Sequence, residues 1–222
     1  MGQSDVAARP PPFFVGGHPA LDFLNTVATP WGETIEWLGN GRDLLDWLIR
    51  AGLVPVPVAQ RFQRTARERE LDQVARRARE MREWLRDFVR RHAGRPLPPG
   101  AVRGLGRLNR LLAHDELFRR LEPMPHAGEV PAMPPEPAAQ WRWERRWPTT
   151  EALLQPIAEA IGELACRADF RYVRRCERCT LWFLDVSKGH GRRWCSMAIC
   201  GNRAKAAAHR ARGATGPRRA HR

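Results

Sequence analysis

Long apolar runs are absent from this chain. No stretch approaches the roughly 18 consecutive apolar residues of a membrane-spanning helix, so no membrane partner is expected. The opening residues, MGQSDVAARPPPFFVGG, lack the apolar core of a secretory leader, and the expected location is the cytoplasm. No internal repeat is visible. No nucleophile–base arrangement, phosphate-cradling loop or open metal site stands out, which makes an enzyme the least expected class. His18, Asp22 and Asn25 lie near one another, but their spacing matches no catalytic mechanism. Acidic residues are scarce in the last quarter. Residues 171–222 carry only Glu177 and Asp185 against 14 of the chain's 38 Lys and Arg. The net charge of +14 therefore sits almost wholly there, behind a near-neutral body. Such asymmetry suggests a nucleic-acid-binding or membrane-surface segment. A tail that only solubilised the chain would not be expected to hold four of the five cysteines.

What is present describes a globular protein. Hydrophobic residues make up 43% and charged residues 28% of 222 positions, with generous proline and tryptophan. Residues 1–12 are polar and proline-rich and predict a flexible arm. In GGHPALDFLNTV, Leu21, Leu24 and Val27 recur at helical spacing. GRDLLDWLIRAGLV predicts a second helix, with Asp43 as N-cap and Gly52 as stop. The strongest periodicity runs from residue 58 to 92. There Leu71, Val74, Ala75, Ala78, Met81, Leu85, Phe88 and Val89 mark one helix face. Interleaved Arg and Glu on the other side suggest a solvated surface of i,i+4 pairs.

GRPLPPG breaks that helix, and a shorter one follows in AVRGLGRLNRLLA. The alternating QWRWERRW predicts a strand that pairs with LFRRLE across the proline-rich loop 123–139. TTEALLQPIAEAIGELAC predicts another helix. It is capped by Thr149 or Thr150, lined by Leu153, Ile157, Ile161 and Leu164, and open to a kink at Pro156. Cys166 is expected in its core face.

The remaining cysteines read Cys176-x2-Cys179, fifteen residues, then Cys195-x4-Cys200. Thiols in a cytosolic chain stay reduced, so disulfides are a poor first reading. Two close pairs at this separation match the ligand logic of a structural zinc site with a closed tetrahedral shell. An iron–sulfur cluster and a redox dithiol are the other chemistries open to four thiols. LWFLDV and RRW predict two strands of a hairpin turning at SKGHG, which would bring the pairs together. His190, in that turn, fits a surface or phosphate-contacting group better than a ligand. So small a module buries too little apolar surface to fold alone, and a metal supplies the difference.

Behind Cys200 a helix is expected, with Asn202 as N-cap and Gly213 as stop. Ala204, Ala207, Ala208 and Ala211 form a narrow face able to pack on the metal module. Arg203, Lys205, Arg210 and Arg212 project charge. Arg192, Arg193 and Lys188 could add contacts from the hairpin. These residues are the candidates for holding phosphates and reading base edges. The bland alternative is a cationic helix that only solubilises the module.

The run CERCTLWFLDVSKGHGRRWCSMAICGNRAKAAAHRAR closely resembles the CGNR zinc finger, whose name matches Cys200, Gly201, Asn202 and Arg203. The x4 spacing belongs to that pattern. GGHPALDFLNTV and the helical body resemble the ABATE domain that commonly precedes this finger. Together the resemblances imply a bacterial, stress-related transcription regulator, with a sensing or interaction domain and a DNA-binding finger holding one structural Zn2+. Asp22 and Asn25 match polar positions of the ABATE motif and are possible ligand contacts. Otherwise they brace the first helix.

The expected class is therefore mainly α. A helical N-terminal domain with a small β-hairpin spans 13–169. A small α+β zinc finger, hairpin then basic helix, spans 170–213, and 214–222 form a basic flexible tail. DNA is the expected partner, alongside a small-molecule or protein effector. RNA or single-strand binding, with Trp182, Phe183 and Trp194 as stacking platforms, and a zinc-stabilised protein-interaction module are the alternatives.

Overall fold

The apolar positions spaced from Leu71 to Val89 are all buried on one side of a 25-residue helix. The structure, a computed structural model, describes residues 9–124 and 139–214. In chain order its elements are α1 (Pro19–Leu24), β1 (Val27–Ala28), β2 (Ile35–Glu36), α2 (Gly41–Arg50), α3 (Val56–Thr65), α4 (Glu68–His92), α5 (Gly106–Leu112), β3 (Leu117–Pro123), β4 (Ala139–Arg145), α6 (Gln155–Arg167), β5 (Val173–Arg175), β6 (Trp182–Leu184) and α7 (Asn202–Ala214). Short 3-10 turns lead into α5, α6 and β5. The fold is mainly α. Among the described residues its sheets are three antiparallel strand pairs: β1–β2, β3–β4 and β5–β6.

The main core gathers around α4. Leu21 and Leu24 of α1, Leu44 and Leu48 of α2, Leu85 of α4, and Ile157 and Ile161 of α6 are buried together in it. Helix α2 begins at Asn40 and not at the expected Asp43. The Asn40 side chain accepts the Asp43 amide at 2.9 Å. Gly52 does end the helix turn, at φ +68°. The single helix expected over 58–92 is two, because Ala66 is extended between α3 and α4 (φ −82°, ψ 147°). Val27, expected on the first helix, lies in β1. Pro156 stands in the first turn of α6, where a missing N–H is harmless, so it starts the helix and does not kink it. Thr149 precedes the 3-10 turn there without a side-chain capping bond. Cys166 is exposed, against expectation. Leu164, two residues earlier, holds the apolar face, and two residues turn a helix by about 200°.

The arginines of α4 do more than line a solvated face. Arg82 is buried and holds both oxygens of Glu36 at 2.7 Å, with the Thr26 hydroxyl at 3.0 Å. Burial pushes the Glu36 carboxyl up. The Arg82 contacts and the Leu38 amide outweigh this and hold it below its ordinary value. Arg86 donates to the Leu24 carbonyl at 2.9 Å, and Arg79 to Leu38 and Gly39. These side chains fasten α4 to the β1–β2 turn region, replacing most of the expected i,i+4 pairing. Glu83–Arg86 is a local pair that remains.

The β3–β4 strands pair as a hairpin as expected, in a register that puts Leu121 opposite Trp141 and Leu117 opposite Arg145. Its proline-rich loop at 125–138 and the tail from 215 lie outside the described residues. So do residues 1–8 of the arm. Arg9 pairs with Asp43 at 2.6 Å, and the Pro10 carbonyl accepts the Trp37 indole N–H at 2.7 Å. The described end of the arm is thus packed on the body.

Candidate metal centre and nucleic-acid interface

Cys176 and Cys179 sit in the turn between β5 and β6, where the Cys176 amide donates to the Leu181 carbonyl at 2.9 Å. The finger hairpin is therefore β5–β6, wrapped around the first cysteine pair. LWFLDV and RRW do not form the strand pair that the glycines of SKGHG suggested. The returning chain instead makes one backbone hydrogen bond to the turn among the described residues, Glu177 N–H to the Arg193 carbonyl at 3.1 Å. Asp185 organises SKGHG. Its carboxylate accepts the Ser187 amide and hydroxyl and the Arg192 amide. His190 lies away from the thiols, stacked on Tyr172 at 3.6 Å between ring centroids.

The wide spacing of Cys195 and Cys200 has a local cause. Met197–Gly201 form a π-type turn, in which the Gly201 amide reaches back five residues to the Ser196 carbonyl at 3.0 Å. This turn takes up the extra residues between the thiols and runs directly into α7. Ser196 is the cap, its hydroxyl accepting the Ile199 amide at 2.9 Å. Asn202, the expected cap, is already helical at φ −64°, ψ −38°. A Cβ at Gly201 would meet Trp194 at 3.4 Å and displace the flexible thioether end of the exposed Met197, which packs over the glycine.

All four Sγ atoms lie within 4.8 Å of one another, and Cys179 and Cys195 are 3.7 Å apart. A tetrahedron with Zn–S bonds of about 2.3 Å has edges of about 3.8 Å. The cysteines are buried. Contacts with Cys179 and Cys195 pull the Cys176 thiol far below its ordinary value. Contact with Cys176 in turn pushes Cys195 far up and Cys179 up to about 12. Such a cluster shares one negative charge among thiols that cannot all ionise, and a central divalent cation relieves this. The donor set fits a single structural Zn2+, with no open position in the shell.

Residues 17–168 match the ABATE family model, described as "Putative stress-induced transcription regulator", and residues 172–213 match the CGNR zinc finger. The chain belongs to the ABATE family. No curated protein matches it significantly.

The ABATE domain and the finger share a seam. Ala28 and Trp37 are buried in one cluster with the four cysteines, Leu181 and Phe183, and Phe13, Val15 and Ile35 pack against it. The Asn25 side chain spans the seam. Its amide nitrogen donates to the Trp182 carbonyl and its oxygen accepts the Trp182 amide, both at 2.8 Å. Gly16 accepts the Leu184 amide at 2.7 Å, and Thr29 meets Thr180. Both polar ends of Asn25 are thus committed to backbone, so it braces the seam and is not presented to a ligand. Asp22 accepts the Gly16 amide at 2.7 Å and is raised by burial to about 6. It too orders the segment that lies against β6.

The candidate nucleic-acid contacts divide. Arg192 turns inward, donating to the carbonyls of Val15, Trp194 and Cys195 with its guanidinium 4.4 Å over Phe183. Arg193 pairs with Glu177 at 2.6 Å, and Arg203 donates to the Pro30 carbonyl at 2.9 Å. Lys188, Asn202, Lys205 and Arg210 are exposed, while the Arg212 side chain lies outside the described residues. Sequence reasoning missed Arg175 and Arg178, exposed beside the first cysteine pair and without an ion pair among the described residues. Their place in RYVRRCERC was the available signal. Trp182 and Phe183 are buried and Trp194 is half-buried.

Proposed function

We propose that this protein is a zinc-dependent DNA-binding transcription regulator, acting by binding and not by catalysis. In this reading the ABATE domain senses an effector and the CGNR finger holds DNA, in the cytoplasm of a bacterium responding to stress. One observation carries it. The metal-bound turn launches a helix with no acidic residue, from which Lys205 and Arg210 project into solvent. Lys188, Arg175 and Arg178 add exposed charge from the same module. Cations held on a rigid metal scaffold suit phosphate contacts. The burial of Trp182 and Phe183 favours duplex DNA over single strands, which need exposed stacking surfaces.

The test is a salt series of duplex binding by fluorescence anisotropy with the zinc-loaded full chain. Each phosphate neutralised contributes about −0.9 to the log–log slope. Lys205→Ala and Arg210→Ala should each remove about that much while leaving the metal in place. Binding that ignores salt, or tighter binding to single strands or structured RNA in competition, would overturn the proposal.

A further inference from the structure

The positions first singled out for an effector, Asp22 and Asn25, lie in the seam between domain and finger. A different place in the ABATE domain has the shape of a binding site. A cavity of about 720 Å³ opens between α4, α5 and the 3-10 turn that begins α6. Its size is within the range of small-molecule sites. Met81 and Leu111 give it apolar wall, and Gln155 closes one side.

Gln155 is the telling residue. It is 5% exposed, and its amide nitrogen donates to the His114 carbonyl at 2.8 Å. Its Oε1 is buried and has no partner among the described residues. That nitrogen contact fixes which end of the amide is the oxygen. A buried acceptor left unmet is costly; this one lies behind the cavity wall with almost no accessible surface, and a ligand N–H satisfies it once the wall side chains shift.

The charges around the cavity are equally specific. Arg77 and Glu151 neutralise each other. Arg107, lying 5.1 Å over Trp84, and Arg110 make no ion pair among the described residues. Glu80 on α4 makes none either. Two open cations call for a carboxylate, while one open carboxylate and an orphaned carbonyl call for an ammonium or N–H group. The charges lie on the rim of one partly apolar cavity, and the orphaned carbonyl lies behind its wall.

We propose that this cavity binds a zwitterionic amino acid or dipeptide with an apolar side chain. Arg107 and Arg110 hold its carboxylate, and Glu80 and Gln155 hold its amino or amide N–H. The inference rests on reading the ABATE domain as the sensing part of a regulator, and it names the site and the ligand class.

The experiment is calorimetry on the zinc-loaded full chain, without DNA. The probes are L-leucine, L-phenylalanine and their dipeptides, each beside its N-acetyl and C-amide forms. At least one zwitterion should bind saturably at millimolar concentration or below. Acetylation or amidation should each weaken it by about tenfold or more. Arg110→Ala, an exposed change that leaves the core alone, should cost as much with the free carboxylate and nothing further with the amide. Gln155→Met, which removes the orphaned oxygen, should weaken every form carrying the N–H. No saturable binding by any probe would overturn the site, as would binding that neither variant alters. Duplex affinity measured with and without the bound probe separates the two proposals. Ligand binding without any change there upholds the cavity and counts against the regulatory reading.

Discussion

The two packing centres of this molecule are held by different means. The main core gathers apolar side chains of all six helices α1–α6, together with Val173 of β5 and Trp182 of β6. The second centre has eight buried members, of which four are the metal-binding cysteines and two come from the ABATE side. The first can stand on burial alone, at about 25 cal/mol per Å² removed from water. The second cannot. It needs the metal, and it needs Trp37 and Ala28 to cover it. What the contrast teaches is that the finger is neither an autonomous bead nor a plain extension of the core. It is a metal-closed patch fastened to the body by apolar contacts and by the Asn25 hydrogen bonds.

The strongest way to break the comparison is to remove the metal. Cys195→Ser, or chelation, forfeits an apparent ~10 kcal/mol or more of zinc binding. Zinc content should fall to a fraction of one per chain. Hydrogen exchange should rise through β5, β6, α7 and the Trp37 segment, while α4 and α6 stay protected. Full zinc retention in that variant would refute the ligand assignment, and global unfolding would refute the independence of the main core.

Next in size is Arg82→Ala, which leaves the half-buried Glu36 carboxylate without its partner at the junction of α4 and the β1–β2 turn. A loss of about 3–5 kcal/mol is expected in urea unfolding. The variant should also lose an acid dependence. Glu36 titrates below its ordinary value in the folded protein, so its contribution is present above that value and fades as pH falls. An equal acid slope in both proteins would count against this pair as its source.

Asn25→Ala tests the seam. It strands the buried Trp182 amide and carbonyl, at about 2–4 kcal/mol for the two bonds. The effect should appear as weaker zinc retention against a competing chelator, because Trp182 sits in β6 beside the metal turn. Unchanged retention would mean that the finger is held by its own side alone.

The smallest effect belongs to Asp22, raised to about 6 by burial. Its stabilising contribution is complete below the unfolded value near 4 and is lost as pH rises through 6. Asp22→Asn should match the native protein at pH 4 and exceed it by about 2–3 kcal/mol near pH 8. Parallel stability curves would show that the seam tolerates the charge.

Much of this could be read from the chain. The face of α4 was legible because a 3.6-residue period over so many turns has no other explanation. The β3–β4 pair was legible from strict alternation, and the thiols from spacing. The break at Ala66 was not, since TARERE holds neither glycine nor proline and each residue tolerates a helix. The pairing of β5 with β6 was hidden because three-residue strands carry almost no pattern. Arg192 looked like its neighbour Arg193. What marks Arg192 as the inward arginine lies partly far off in the chain, at the Val15 carbonyl 177 residues away. Cys166 was misjudged because apolar character was weighed without its angle around the helix.

The seam also has an order in time. Asn25 and Trp182 are separated by 157 residues, so a ribosome finishes Phe13 through Trp37 long before it reaches Cys200. Throughout that interval the aromatic cover waits without anything to cover. Metal capture then waits on the synthesis of Cys200. A copy interrupted ahead of Cys200 shows its unclosed patch to chaperones and proteases, which act on exposed apolar surface. The zinc site ties closure of the seam to the synthesis of its last ligand.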